Sequence, residues 1–287
     1  MSSFKLAIAT CTERPQLIPS EQYLLSQLPE RGIEAIPVIW NDTTVAWTDF
    51  DGVLIRTIWD YHKHIDAFRS WIDQLAQTGL IVGNSIDVLG WNAHKYYLEE
   101  LAQKGITIPP TLFVRQGSEL LELTIPWSSF IVKPAVSATA YQTFRLTAAT
   151  YQEQLPQLKE IGRQKDLLIQ QFIPSISEQG EYSLMFFGKK FSHAVLKTAQ
   201  AGEYRVQAEF GGSYLQIEPE DALIRFAEGV LGMVSSPCLY ARVDLVVYQD
   251  KPMLMELELI EPELFLTTDT TRERFIAAIS GYFLRKR

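Results

Sequence analysis

Short apolar runs alternate with helix-like stretches through the first ninety residues, and this alternation constrains the fold more than any other feature of the sequence. The runs are Leu6 to Ala9, Ile33 to Ile39, Val53 to Ile55 and Leu80 to Val82. Apolar residues at three-to-four spacing predict helices over residues 62–78 and 93–104, and Gly79 and Gly105 are expected to end them. Strands and helices in this order predict a small parallel sheet flanked by helices.

From about residue 110 the pattern changes to antiparallel strands. The predicted strands are residues 129–134, 143–147, 167–173, 181–188 and 191–198, with a hairpin turn at residues 187–190. A helix over about 219–234 leads into a strand pair at 239–248 and 253–261, and a last helix covers about 271–284. The chain is therefore predicted to be an α/β (α+β) protein, with its parallel part at the amino terminus.

The composition excludes several classes of protein. With 287 residues, 47% hydrophobic and 21% charged, the chain can bury a large core in two or three lobes. Its net charge of −8 gives no basic footprint for a nucleic acid. Cys11 and Cys238 lack metal-ligand spacing, and no window of about twenty apolar residues is long enough to span a membrane. We therefore expect a cytoplasmic protein with free thiols, and the sequence does not decide between a monomer and a homo-oligomer.

The predicted strand pair near the carboxyl terminus has one apolar face and one charged face. Because side chains of a strand alternate between faces, the odd positions form the apolar face, with Val243, Leu245, Val247, Met255, Leu257 and Leu259. The even positions form the other face, with Arg242, Asp244, Glu256 and Glu258. If Tyr248 pairs with Pro252, the register sets two charged pairs opposite each other, Asp244 with Glu256 and Arg242 with Glu258.

Three carboxylates on one face repel each other and favour a compensating cation. Oxygen ligands alone suit magnesium better than zinc. The alternative is an ordinary amphipathic hairpin with an acidic solvent face, in which Arg242 neutralises one glutamate. The pattern by itself leaves both interpretations open.

A lysine and a run of small residues follow the predicted strand at 129–134. Lys133 is suited to an anion as a point charge, and backbone amides of residues 135–140 can approach phosphates closely. The alternative is a strand-end lysine that reaches into water beside a mobile loop.

The order of these parts resembles the ATP-grasp superfamily from about residue 90 onward, in the branch that contains the O-ureido-serine cyclo-ligase of cycloserine biosynthesis. Glutathione synthetase-like and ribosomal-protein glutamate ligases are more distant relatives. The resemblance implies a nucleotide site formed by Lys95, Lys133, Ser137, the hinge residues Gln171, Phe172 and Ile173, and the ribose-binding Glu181. It implies Lys197 and Arg205 as catalytic cations, and Asp244, Glu256 and Glu258 as ligands of Mg²⁺, with Mn²⁺ as the alternative ion. The chain departs from many relatives at Glu258, where they carry asparagine, and at Thr139, where we expect glycine.

The same resemblance implies the architecture and the reaction. The expected fold has an amino-terminal parallel α/β lobe (1–90), a central subdomain (91–165) and a carboxyl-terminal subdomain (166–287), the last two clasping ATP. The expected activity is ATP-dependent ligation of a small amino-acid-like carboxylate to an amine through an acylphosphate. An intramolecular cyclo-ligase and a catalytically silent nucleotide-binding protein are the alternatives.

The substrate is expected at the carboxyl edge of the parallel sheet, where such sheets bind ligands. Two segments follow strands there, the loop Thr10 to Arg14 and a stretch with Arg56, Trp59, Asp60 and Tyr61. Arg56 is predicted either to bind a carboxylate or to pair with Asp60 at the surface. The four histidines show no metal-ligand spacing, and we expect structural roles for His62, His64, His94 and His193.

Overall fold

We examined a computed structural model of the chain, which describes residues 3–120 and 123–286. The amino-terminal part contains a four-stranded parallel sheet in the order β2-β1-β3-β4. Its strands are β1 (Phe4–Thr10), β2 (Ile33–Ile39), β3 (Gly52–Thr57) and β4 (Ile81–Gly83). The predicted parallel sheet is confirmed, and each strand contains or overlaps one of the predicted apolar runs.

Among the described residues, this region contains four α-helices, and the two that the sequence predicts begin later than expected. The four helices are α1 (Leu24–Gln27), α2 (Ile65–Thr78), α3 (Ile86–Asn92) and α4 (Tyr97–Gln103). A tighter 3₁₀ turn occupies Tyr61–Lys63, so α2 starts three residues after the predicted position. Gly79 ends α2 in the left-handed conformation, with φ of 74°, which glycine adopts without steric cost.

A four-stranded antiparallel sheet, in the order β5-β8-β6-β7, forms the central part. Its strands are β5 (Thr111–Val114), β6 (Ser129–Pro134), β7 (Phe144–Thr147) and β8 (Leu167–Gln171). The helix α5 (Ala148–Gln164) packs on it through Tyr151, Leu155 and Leu158. Because β8 pairs with β5 and β6, the central sheet extends past the boundary predicted at residues 165 and 166.

A five-stranded antiparallel sheet, in the order β11-β10-β9-β12-β13, forms the carboxyl-terminal part. Its strands are β9 (Glu181–Phe187), β10 (Lys190–Thr198), β11 (Ser213–Ile217), β12 (Tyr240–Tyr248) and β13 (Lys251–Glu258). The accompanying helices are α6 (Ser175–Glu178), α7 (Asp221–Gly232) and α8 (Asp269–Phe283).

The hairpin of β12 and β13 has a tighter turn than predicted. Tyr248 pairs with Lys251 rather than with Pro252, because Gln249 and Asp250 both adopt positive φ, 50° and 58°, and close a two-residue turn. A bulge at Met255 then restores the predicted pairs, Asp244 with Glu256 and Arg242 with Glu258. Met255 consequently lines the cleft described below instead of joining the apolar face, which is a correction to the predicted alternation.

The parallel sheet shares its core with the carboxyl-terminal part of the chain. Ile8 of β1, Met185 of β9 and Phe275 of α8 belong to one buried cluster, and the rings of Phe4 and Phe283 lie 5.8 Å apart. The segment that follows β3 is thereby held against the carboxyl-terminal sheet. In the described ranges, no helix is long and apolar enough to cross a membrane.

Candidate active site

A cleft of about 310 Å³ opens between the two antiparallel sheets. All but two of the candidate residues line it, and the two exceptions are Arg56 and Asp60. The residues that the structure brings together there are Trp59, Tyr61, Lys95, Lys133, Ser137, Gln171, Phe172, Ile173, Glu181, Lys197, Arg205, Asp244, Glu256 and Glu258. Of the predicted residues, four basic side chains and four carboxylates therefore meet in the cleft, from segments that are far apart in sequence.

Two of the lysines lie beside Glu256. The Nζ atom of Lys95 donates to Oε1 of Glu256 at 2.7 Å and to the carbonyl oxygen of Ser137 at 2.8 Å. Lys133 projects from β6, and its Nζ atom lies 3.4 Å from Oε1 of Gln170. Burial lowers the pKa of Lys133, while Glu256 opposes this shift. An additional anion in the cleft would therefore stabilise the charged form of Lys133.

Lys197 of β10 joins two other carboxylates. Its Nζ atom is ion-paired with Glu181 and lies 3.2 Å from Oδ2 of Asp244. Asp244 also accepts hydrogen bonds from Arg242 Nε at 2.9 Å and from Ser183 Oγ at 2.6 Å. Burial alone would raise the pKa of Asp244, but Arg242 and Lys197 lower it to about 2. Asp244 is therefore ionised at neutral pH and saturated with protein donors.

The last carboxylates of the cleft are less well compensated. Arg242 donates to Oε1 of Glu258, yet burial raises the pKa of Glu258 to about 8, helped by the nearby Glu256. Glu261 and Glu263 also line the cleft, and burial raises the pKa of both, to about 7 in Glu261. These two residues were not predicted, although both follow Glu258 closely in the sequence and so could have been expected near the same site.

The magnesium ligands predicted on β12 and β13 are neighbours but do not form a ready metal site. Within the part of the chain that the structure describes, no group of three acidic, histidine or cysteine side chains is arranged to hold a metal ion. Arg242, Lys95 and Lys197 compensate the carboxylates, so their crowding does not by itself require a metal. Glu256 and Glu258 bind protein donors through Oε1 only, and their second oxygens fit Mg²⁺. Asp244 does not fit as well because both of its oxygens are occupied.

Arg205 is held by an acidic neighbour. Its guanidinium binds Glu203 through two contacts, Nη2 to Oε2 at 2.6 Å and Nε to Oε1 at 3.1 Å. The same group lies over the ring of Phe210, 3.6 Å from its centroid. Hydrogen bonding from Arg205 lowers the pKa of Glu203 to about 2, so this pair is fully charged at neutral pH.

The hinge after β8 offers one free backbone donor. The N–H of Gln171 donates to the carbonyl oxygen of Pro110 at 2.8 Å, and the N–H of Phe172 donates to that of Ser129 at 3.0 Å. Among the described residues, the N–H of Ile173 makes no hydrogen bond. Ile173 is therefore the hinge residue whose amide can donate to a ligand.

Arg56 does not occupy the predicted place, whereas Asp60 faces a cavity. Arg56 is 2% exposed and donates through Nε to Oε1 of Glu21 at 3.0 Å and through Nη2 to the carbonyl oxygen of Pro262 at 2.9 Å. Both predictions for Arg56 are therefore wrong: its guanidinium does not reach a ligand-binding crevice, and it does not pair with Asp60. Its ion-pair partner is Glu21, which is also buried in the core. Asp60 accepts from Trp40 Nε1 at 2.8 Å and lines a second cavity beside the cleft.

Two family models match the chain. Residues 95–257 match the ATP-grasp domain of prokaryotic glutathione synthetase, which spans more than half of the chain. Residues 6–84 match the amino-terminal domain of the D-cycloserine synthetase DcsG. The chain therefore belongs to the ATP-grasp family and is an ATP-dependent ligase, as the order of motifs predicts.

Individual relatives agree with this assignment. The cycloserine biosynthesis protein DcsG of Streptomyces lavendulae is 28% identical over 258 residues, which cover 82% of this chain and 84% of the relative. The crystal structure of D-cycloserine synthetase DcsG superposes with a TM-score of 0.85 at 24% identity, over 97% of this chain and 99% of that one. D-alanine–D-alanine ligase from Bacillus anthracis, complexed with ATP, has a TM-score of 0.69 at 15% identity over 99% and 98% of the two chains. The predicted ATP-grasp fold is thus confirmed.

Proposed function

We propose that the chain uses magnesium-ATP to convert the carboxylate of a small amino-acid-like substrate into an acylphosphate, which an amine then attacks. In the first step a carboxylate oxygen bonds to the γ-phosphorus of ATP and ADP leaves. In the second step the amine nitrogen bonds to the carbonyl carbon, the carbon–oxygen bond to phosphate breaks, and the nitrogen releases a proton to solvent. The products are an amide, ADP and phosphate.

The observation that carries this proposal is the convergence of four basic side chains on one cleft. Lys95, Lys133, Lys197 and Arg205 come from different segments, and each is held by a carboxylate or an amide oxygen. Phosphoryl transfer is accelerated mainly by positioning and by neutralisation of charge on the phosphates, for which such cations are suited. A triphosphate in the cleft would take over these cations from their present partners.

The acidic strand pair completes the site. Mg²⁺, held by Glu256 and Glu258, would neutralise charge on the phosphates when bound. Asp244 orients Lys197 and Arg242 through the hydrogen bonds described above. The N–H of Ile173 would donate a hydrogen bond to the adenine ring. Glu181, which is paired with Lys197 in the free protein, would face the ribose.

The nucleotide part of the proposal is tested with one lysine variant and a matched control. Lys133→Met removes a half-buried charge from the cleft, whereas Lys104→Met removes an exposed charge beyond α4. ATP affinity, measured by calorimetry with magnesium, is expected to fall about tenfold or more in the first variant and to stay unchanged in the second. Equal affinities in both variants would remove Lys133 from the nucleotide site.

A second candidate reaction is intramolecular cyclisation. It is favoured by the match of residues 6–84 to the amino-terminal domain of a D-cycloserine synthetase, because this part of the chain contributes Trp59 and Tyr61 to the cleft. The two reactions differ in their requirement for substrates. A cyclising enzyme releases ADP with one added compound and yields a product lighter than that compound by one water, whereas a ligase of two molecules needs both.

A further inference from the structure

A second cavity, of about 440 Å³, lies beside the nucleotide cleft at the carboxyl edge of the parallel sheet. The loop after β1 forms one side, and the segment after β3 forms another. Four residues line both the cavity and the cleft, namely Trp59, Thr139, Ala140 and Glu209. A molecule in the second cavity would therefore lie next to the cations that face the phosphates.

His62 lines this cavity without a hydrogen-bond partner. Its side chain is 6% exposed, and neither ring nitrogen has a partner among the described residues. By contrast, His193 binds Ser192 Oγ at 2.9 Å and the carbonyl oxygen of Leu264 at 2.8 Å. Since buried polar groups are nearly always paired, the expectation of a structural role fits His193 but does not account for His62.

The contacts of His62 connect both sides of the cavity. The imidazole belongs to the segment after β3, and its centroid lies 5.5 Å from the ring of Tyr141, on the small-residue loop after β6. The Nζ atom of Lys165 also lies over the ring of Tyr141, 5.3 Å from its centroid. A ligand bound to His62 would consequently contact the substrate side and the phosphate loop together.

The imidazole is uncharged at neutral pH. Burial lowers the pKa of His62 to about 4, and the charge of Lys63 is the next largest cause. The backbone carbonyl of Trp59 opposes this shift from near the ring, but it lies outside hydrogen-bonding geometry. Lys95 and Lys165 lower the pKa further. A neutral imidazole has one acceptor nitrogen and one N–H donor. It is therefore suited to an amine or amide N–H rather than to a carboxylate, for which the lysines are available.

The walls of the cavity carry charges of both signs. The acidic side chains are Glu13, Asp60 and Glu209, and the basic ones are Arg14 and Lys63. A wall of one sign would select an anion or a cation. The mixed wall instead favours a small zwitterion, whose amine and carboxylate each find an opposite charge.

From these observations we infer that His62 is a substrate-recognition residue: its buried ring turns toward the second cavity, and a ring nitrogen accepts a hydrogen bond from the nitrogen of a zwitterionic amino acid bound there. This inference rests on the proposed function, because it takes the second cavity as the place of the amino-acid substrate. The residue acts in binding, and no transfer of a proton to it is required.

Nuclear magnetic resonance of the full chain tests the inference directly, since the chain has only four histidines. The protein, labelled with ¹³C at histidine Cε1 and saturated with magnesium and the non-hydrolysable analogue AMP-PNP, is titrated with glycine, D-alanine and L-alanine. Acetate and ethylamine, at equal concentrations, carry only one of the two charges. The signal of His62 is assigned by its loss in His62→Gln, and the signal of His193 is the internal reference.

We expect the His62 signal to move with at least one zwitterion and to move less with acetate and ethylamine, while the His193 signal stays in place. An unmoved His62 signal with all three amino acids, or equal movement with acetate, would overturn the inference. Binding of AMP-PNP is followed by ³¹P signals in the same sample. If the nucleotide binds and the His62 signal does not move, only the role of His62 is overturned. If the nucleotide does not bind, the proposed function is overturned as well.

Three variants separate recognition from folding. His62→Phe keeps a ring but has no acceptor, and it should weaken binding of the active amino acid about tenfold. His62→Gln keeps a side-chain acceptor and should restore most of the affinity, and the exposed His64→Gln should have no effect. Equal affinity in His62→Phe and the parent protein would contradict the inference.

Discussion

His62 should cost the free protein stability. A buried polar group without a partner has lost its water and gained no hydrogen bond, so replacing it with an apolar group of similar shape is favourable. We expect His62→Phe to raise the free energy of unfolding by about 1 kcal/mol and the Tm by roughly 2–4 °C. His193→Phe, which removes two hydrogen bonds, should lower the Tm in the same thermal scan. A destabilised His62→Phe protein would show that the imidazole is satisfied in the free state.

Thr139 illustrates strain in the loop that follows β6. It adopts a φ of 47°, and Ala140 follows with 55°, in the left-handed region that a β-branched residue rarely enters. The expectation of glycine at this position therefore has a conformational reason. We predict that Thr139→Gly leaves stability unchanged or raises it by up to about 1 kcal/mol, since relief of strain offsets the greater freedom of the unfolded chain. Ala138→Gly has no strain to relieve and should lose about 0.5–1 kcal/mol in denaturant unfolding.

At the scale of elements, the acidic segment after β13 makes stability depend on pH. Burial raises the pKa of Glu261 to about 7, above its ordinary value of 4.5, against Arg242 and Lys95. The folded state therefore binds the proton more tightly than the unfolded state. The stability contributed by protonated Glu261 is complete below pH 4.5 and is lost as the pH rises through 7.

We accordingly expect the free energy of unfolding of the nucleotide-free protein to fall as the pH rises to about 8, with Glu258 adding to the effect of Glu261. Below pH 6.5 the lowered pKa of His62 has the opposite sign and offsets part of this fall. Glu261→Gln should reduce this fall by about 1–3 kcal/mol in denaturant titrations at several pH values. Glu153→Gln, an exposed change on α5, is the control. An identical pH dependence in parent and Glu261→Gln proteins would contradict the assignment of the shift to Glu261.

Elements with a regular apolar pattern could be predicted from the sequence. Elements that depend on a helix cap, on packing or on a β-bulge could not. The residues of β6 have the predicted bounds because strand alternation is a local property. Helix α5 was not predicted, because it contains Pro156, which usually breaks a helix. In the structure a capping box at Thr147 and packing against the central sheet stabilise the helix. The bulge at Met255 is invisible in a period-two pattern.

The candidate site shows the same division. The cations and carboxylates of the cleft could be proposed because their order along the chain resembles a known family, and the structure brings them together in one cleft. Arg56 was misplaced because its partner, Glu21, is thirty-five residues away and no local pattern links the two. His62 was assigned a structural role because burial without a partner is a property of the folded molecule alone.

Magnesium-ATP should stabilise the folded protein as a whole. The nucleotide would contact cations from both antiparallel sheets and from the helical segment near Lys95, and these contacts exist only in the folded state. A ligand at a hundredfold excess over its Kd adds about 2.7 kcal/mol to the free energy of unfolding. We expect a corresponding rise in Tm with magnesium-ATP and a smaller one with ATP and a chelator. No rise at millimolar nucleotide would contradict the proposed site.

Isotope transfer tests directly whether ATP activates a carboxylate as an acylphosphate. The protein is incubated with magnesium-ATP and a panel of amino acids labelled with ¹⁸O in the carboxylate, and the released nucleotide and phosphate are analysed by mass spectrometry. We predict ADP together with inorganic phosphate that carries one ¹⁸O atom, because the carbon–oxygen bond of the acylphosphate breaks when the amine attacks. Release of AMP and pyrophosphate, or of phosphate without label, would contradict it.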